Sequence, residues 1–306
     1  MKIYAILDHP GYNRTLPGVI EKWKEAGHVV KPDMYYDPEK AKWADVIFGE
    51  YIQGGVVHAV NDENRKTPIF IRGIDIDIYF GHFAGIDWDR CAGVFFINDY
   101  MKDYALDIYR RYQKEPKCPV EVVHLGVDMD KFIFKKKTPG KRIGWLNRLW
   151  TGKGIEFLLE IAYKMVQYDK EYTVEIVGDT NEKWVLKYIN EFLSRNKLQD
   201  NVKHITGVDD VNEWMDNIDY ILSTSMKECM SLPIAEGMAK GIKPVIHNWW
   251  GAETLYPGDL IFQTSEQACN IIMEDKYDSD FYRQYIQDRY TLDSQVKKLN
   301  KLMGIK

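Results

Sequence analysis

Glu228 and Glu236 stand eight residues apart in the run STSMKECMSLPIAEGMAKG, 223–241. Spacing alone is better read as surface charge, but the setting is more specific. The residue types predict a strand ending at Ser223–Ser225, a turn carrying Glu228 to Ser231, and a helix from about Leu232 or Pro233. Proline is welcome in a first helical turn, where its missing N–H costs nothing. The amides of Met230, Ser231 and Leu232 then form the positive end of that helix and can hold phosphate oxygens. Glu228, in the turn, can accept hydrogen bonds from sugar hydroxyls. Glu236, about one turn into the helix, can take both hydroxyls of a ribose.

A second stretch, LNRLWTGKG at 146–154, sets Arg148 and Lys153 five residues apart between a strand and a helix. Arg offers a bidentate fork and Lys a point charge, so the two can converge on a diphosphate. A solvated basic loop is the other reading of the same residues. The pattern GxxxxGK[ST] is absent, which excludes a P-loop ATPase.

Other signals are weaker. Gly178-Asp179 ends a strand and either borders a nucleotide base or makes a turn. In NWWGAE, 248–253, the Gly251 and Ala252 amides can approach a transferred sugar, while Trp249 and Trp250 either stack on a ligand or pack between domains. Gly11, within Pro10-Gly11-Tyr12 after the first strand, is a candidate contact from the first domain. So are Arg72 and Asp75, after a central strand. Structural roles are open for each. His82 and His124 sit in no metal-ligand pattern, and no metal is expected.

These residues need elements to position them. The expected first-domain strands are 2–7, 29–30, 45–49, 68–72, 91–97 and 120–126, with helices over about 16–26 and 99–113. The charged stretch IFKKKTPGKR, 133–142, breaks the pattern, and the alternation then restarts. The second series has strands at 142–146, 172–178, 202–207, 219–225, 243–248 and 259–263. Its helices fall at about 153–168, 181–196, 211–216, 231–240, 265–275 and 278–303. Alternation of this kind implies parallel sheets covered on both faces. The expected organisation is an α/β, Rossmann-like domain at 1–132, a second at 133–275, and a helical region at 276–306 able to pack back on the first. In open α/β sheets ligands sit beyond the carboxyl ends of the strands, where the candidate residues collect.

Bulk properties narrow the choice. The chain has 306 residues, 45% hydrophobic and 28% charged, an ordinary globular composition. A net charge of -5 lacks the basic excess of a nucleic-acid-binding surface. Cys91, Cys118, Cys229 and Cys269 are widely spaced without CxxC, as expected of reduced thiols in a cytoplasmic setting. The first apolar run is short for a signal sequence, and no run approaches the roughly 20 residues of a membrane span. Peripheral membrane contact and oligomeric state stay open.

The run from Glu228 through Ile246 resembles the E-x7-E signature, and the strand after it, of the retaining GT-B glycosyltransferases of family 4, which include glycogen and sucrose synthases. Leu146-Asn147-Arg148 with Lys153-Gly154 is similar to that family's phosphate-binding segment, and HLGVDMDKF, 124–132, to the end of its first domain. The resemblance covers about 120–300. It implies two Rossmann-like domains with parallel sheets facing across a cleft, and transfer of a sugar from a nucleotide-diphosphate sugar, UDP- or GDP-linked, to a hydroxyl acceptor that is a glycan, a lipid-linked sugar or a small molecule. Anomeric configuration is retained, and neither metal nor cofactor is used. By this resemblance Arg148 and Lys153 neutralise the leaving diphosphate and Glu228 grips the donor sugar. Asn147, Gly178, Met230, Ser231, Leu232 and Glu236 line the rest of the donor site. Asn147 and Ser231 stand where the family usually has Gly, and Met230 where it has an aromatic residue. The first domain is short, and where the family has a sugar-contacting His the nearest match is Arg72 or Asp75.

Three other functions fit parts of this pattern. A dehydrogenase needs GxGxxG after a first strand, and neither domain has it. A nucleotide-sugar epimerase or hydrolase keeps the fold and changes the reaction. A non-catalytic nucleotide-sugar-binding module keeps only the binding.

Overall fold

A computed structural model describes residues 1–8, 15–112 and 115–306. In chain order the elements begin β1 (Lys2–Leu7), α1 (Pro17–Glu25), β2 (Val29–Asp33), α2 (Pro38–Trp43), β3 (Val46–Glu50) and α3 (Gly54–Asn61). Then follow β4 (Ile69–Gly73), α4 (Asp75–Tyr79), β5 (Gly93–Phe96), α5 (Asp99–Tyr112) and β6 (Val120–Val122). The second series is β7 (Arg142–Leu146), α6 (Ile155–Tyr168), β8 (Thr173–Val177), α7 (Lys183–Arg195), β9 (Val202–Ile205), α8 (Val211–Met215) and β10 (Tyr220–Ser223). It ends with α9 (Leu232–Ala239), β11 (Lys243–His247), α10 (Ala252–Leu255), β12 (Ile261–Phe262), α11 (Ser265–Met273), α12 (Ser279–Arg289) and α13 (Leu292–Met303).

The chain divides into two compact units, Met1–Gly126 with Tyr290–Lys306, and Val127–Arg289. Each holds a six-stranded sheet whose neighbours all pair in parallel.

In the first unit the strand order is β2-β1-β3-β4-β5-β6. Its strands are near-continuous apolar runs because both faces are covered. On one face Ile3, Ala5, Val46 and Phe48 pack with Val19 and Trp23 of α1 and Leu292 and Leu299 of α13. The Trp23 Nε1 donates to Asn300 Oδ1 at 2.7 Å, tying those two helices together. On the other face Tyr4, Ile47, Ile71 and Phe96 pack with Val56, Ala105 and Tyr109. The helix predicted over 278–303 is two helices. Thr291 interrupts it, accepting the Ser294 N–H at 3.1 Å as the N-cap of α13. Gly126 packs on that start, and its N–H donates to Gln295 Oε1 at 2.8 Å.

In the second unit the order is β12-β11-β10-β7-β8-β9. Read from β9 this is the 3-2-1-4-5-6 doubly wound order, so the winding reverses between β7 and β10. Ile155, Leu158, Leu159, Ala162 and Met165 put an apolar stripe of α6 on the sheet, with Trp145 beneath. The basic run before β7 is bound within this unit. Lys137 Nζ donates to the carbonyls of Met215, Asp216 and Ile218 at 3.3, 3.0 and 2.6 Å. Lys135 pairs with Asp216, and Arg142 forks onto Asp219 at 3.1 and 3.0 Å. All four cysteines are free thiols. No helix among the described residues is long and apolar enough to cross a membrane.

Candidate donor site

The reversal of winding leaves a crevice at the carboxyl ends of β7 and β10, because the helices after them cover opposite faces. The loops that leave these strands, 147–154 and 224–231, carry Arg148, Lys153 and Glu228. Both loops are held by the backbone. Met226 N–H donates to Gly152 O at 3.0 Å. Thr224, fully buried, donates from Oγ1 to Lys153 O at 2.8 Å and accepts from Trp145 Nε1 at 2.9 Å. Gly154 ends the first loop at φ +63°, and a Cβ there would stand 2.1 Å from the Thr224 carbonyl oxygen. Only glycine allows this approach.

The approach brings Lys153 onto Glu228. Lys153 Nζ pairs with Glu228 Oε1, and both side chains are largely buried. Ser225 Oγ donates to the same Oε1 at 2.9 Å, and His247, at the end of β11, bonds through Nδ1 to Ser225 O at 2.8 Å. With a carbonyl as the partner, Nδ1 carries the hydrogen. A chain of contacts therefore runs from β11 through the end of β10 to the β7 loop. Arg148 is exposed and makes no ion pair with a described residue.

Asn147 and Gly178 meet at the ends of β7 and β8. Gly178 lies at φ +151°, and a Cβ on it would fall 1.8 Å from Asn147 O. Asn147 N–H donates to Val177 O at 3.0 Å, and His204 Nε2 lies 2.8 Å from Gly178 O.

α9 begins behind Glu228. Cys229, Met230 and Ser231 are buried, and Tyr256 Oη donates to Ser231 O at 3.2 Å. Ser231 occupies the N-cap without a side-chain cap bond. At the start of the helix the amides of Leu232 and Ile234 have no intrahelical partner, and Pro233 has no N–H. Glu236 is half-buried, one turn in. Trp249 is buried within this unit, edge-on to Tyr256 at 5.8 Å, and Trp250 is exposed.

In the first unit, Arg72 is the next-to-last residue of β4 and is fully buried. Its Nε and Nη2 fork onto the equally buried Glu50 of β3, both at 2.8 Å. Asp75 opens α4, and Gly11 lies outside the described residues. Asp77 is the neighbour that sequence reasoning misses. Its carboxyl is fully buried, accepts the Ile74 N–H at 3.1 Å, and stands 3.6 Å from His82 Nδ1. Burial pushes its pKa up to about 7. Among the described residues no group of three or more His, Cys, Asp or Glu is placed to hold a metal ion.

Residues 140–273 match the family described as glycosyl transferases group 1. No curated protein sequence matches the chain. Among solved structures the fold is similar to the HepE protein of Anabaena in complex with UDP-glucose, at 16% identity and a TM-score of 0.78, over 99% of each chain. It is similar to sucrose-phosphate synthase from Thermosynechococcus elongatus, at 12% identity and a TM-score of 0.79, over 99% of this chain and 98% of that one. A glycosyltransferase from Rickettsia africae aligns at 15% identity and a TM-score of 0.73, over 100% of this chain and 99% of that one. These likenesses show the GT-B fold, with its two Rossmann-like units.

Proposed function

We propose the reaction of a glycosyltransferase that, through residues 140–273, belongs to the glycosyl transferases group 1 family: transfer of a sugar, with retention, from a nucleotide-diphosphate sugar to a hydroxyl acceptor. The observation that carries this reading is the convergence of Lys153, Glu228 and the start of α9 at the switch point of the second sheet. A cation for a leaving diphosphate, a carboxylate for sugar hydroxyls and orphaned helix amides for phosphate oxygens are the groups such a donor needs. UDP-glucose bound to the similar Anabaena fold supports a UDP-sugar as the first donor to try.

In this reading Lys153 and the exposed Arg148 take up charge that grows on the diphosphate as the anomeric bond breaks. That is the work a divalent ion does in other enzymes, and the transfer is proposed to run without one. Glu228 holds the sugar, Glu236 the ribose, and the Met230–Leu232 backbone the phosphates. Asn147 and Gly178 border the nucleotide. The acceptor hydroxyl attacks from the face the diphosphate leaves, and its proton passes to the departing phosphate oxygen. Arg72 and Asp75 belong to the first unit, to which this reading gives the acceptor.

The test is NMR of the enzyme with UDP-, GDP-, ADP- and dTDP-sugars plus EDTA and a mixture of glycan, lipid-linked and small-molecule acceptors. One donor is expected to be consumed, and an α-linked donor to yield an α-linked product. Interconversion of a nucleotide-sugar without acceptor would establish an epimerase instead. Consumption of no donor overturns the reading.

A further inference from the structure

Lys153 and Glu228 are assigned above to different parts of one ligand, yet the structure pairs them with each other. The contact is well supported. Ser225 Oγ donates to the same carboxylate oxygen at 2.9 Å, and Thr224 Oγ1 fixes the Lys153 carbonyl at 2.8 Å. His247 anchors Ser225 from the next strand at 2.8 Å. Both charged side chains are largely withdrawn from water, with exposures of 13% and 11%. Coulomb interactions at such a place exceed those of a solvated pair.

A carboxylate this close offsets the ammonium's charge, so a second anion is attracted less even though further N–H donors remain. A diphosphate arriving at Lys153 competes with Glu228 for the ammonium. We propose that Glu228 sets the affinity for the nucleoside diphosphate as well as holding the sugar. The donor draws Lys153 away and frees the carboxylate for the sugar hydroxyls, which compensate it. Once the sugar is transferred, that compensation is gone, and Glu228 reclaims Lys153 and drives the nucleotide out. The pair thus makes donor binding stronger than product binding and hastens release. This inference rests on the donor-site reading.

The experiment is calorimetric titration of UDP, GDP, ADP and dTDP, in EDTA, into wild type, Glu228→Gln, Lys153→Met and the double variant. Glutamine keeps the Ser225 contact and removes the charge. The expected result is tighter nucleotide binding by Glu228→Gln, about tenfold, or about 1.4 kcal/mol. That gain is expected to vanish when Lys153 is already Met, because the two act as a unit. Unchanged or weaker binding by Glu228→Gln overturns the exchange while leaving the donor site standing. A gain that persists beside Lys153→Met also overturns it, since the effect is then general repulsion. If wild type binds none of the four nucleotides, the donor-site reading fails and the exchange with it. A circular dichroism melt of each variant separates unfolding from lost binding.

Discussion

Gly154 is where one missing carbon decides the geometry of the site. Its φ of +63° and the 2.1 Å that a Cβ would leave to the Thr224 oxygen forbid any side chain. Gly154→Ala is expected to destabilise the protein by about 3 kcal/mol and to loosen Lys153 from Glu228. Gly207→Ala, with open space around it, is the control expected to change neither in a denaturant melt. Asp77 supplies a second residue-scale test. Its carboxyl titrates at about 7 because burial disfavours the charge, with Asp75 and Glu50 adding to it. The folded state therefore binds the proton more tightly than the unfolded chain, whose carboxyl titrates near 3.8. The associated stability is full below pH 4 and is lost as pH rises through 7. Asp77→Asn is expected to abolish that decline and to exceed wild type at pH 8 by on the order of 3 kcal/mol, read from denaturant midpoints at pH 5 and 8. Nothing in the sequence singles out Asp77. It is one acid among the 46 Asp and Glu, and only the fold withdraws it from water.

At the scale of elements, the strand–turn–helix around 223–239 is legible because its parts are contiguous. Ser223 closes a strand, Pro233 enters a first turn, and the apolar spacing of 232–239 marks a buried helix. The partner of Glu228 is not legible, since Lys153 lies 75 residues away and arrives through sheet topology. Some short helices are hidden for a related reason. The segments 38–43 and 75–79 have less than two turns of periodicity, so their patterns do not stand out from loop. The basic run 133–142 looks like a solvated connection, yet its charges are spent on helix ends and carboxylates of the second unit. Lys137 is the clearest case, its ammonium set against the carbonyls at the end of α8, where the helix dipole favours a cation. Burial holds its pKa below the usual lysine value. Lys137→Met keeps the stem and removes the donors, and is expected to cost about 2 kcal/mol in a thermal melt.

For the whole molecule, alternation of strands and helices is enough to read two doubly wound units, because a parallel sheet needs a crossover helix for every strand. Strand order is not readable that way. The position of β10 beside β7, which creates the crevice, follows from three-dimensional packing alone. The chain's return at Tyr290 gives the first unit its last helix. The second unit is proposed to hold a nucleotide-diphosphate sugar at its switch point through Lys153 and Arg148. The most direct test of this is calorimetric titration of UDP-, GDP-, ADP- and dTDP-sugars, in EDTA, into wild type and the Arg148→Ala/Lys153→Ala double variant. One donor is predicted to bind wild type, and to bind the variant at least about tenfold more weakly, a loss of about 1.4 kcal/mol. Equal binding to both proteins, or binding of no donor to wild type, contradicts it.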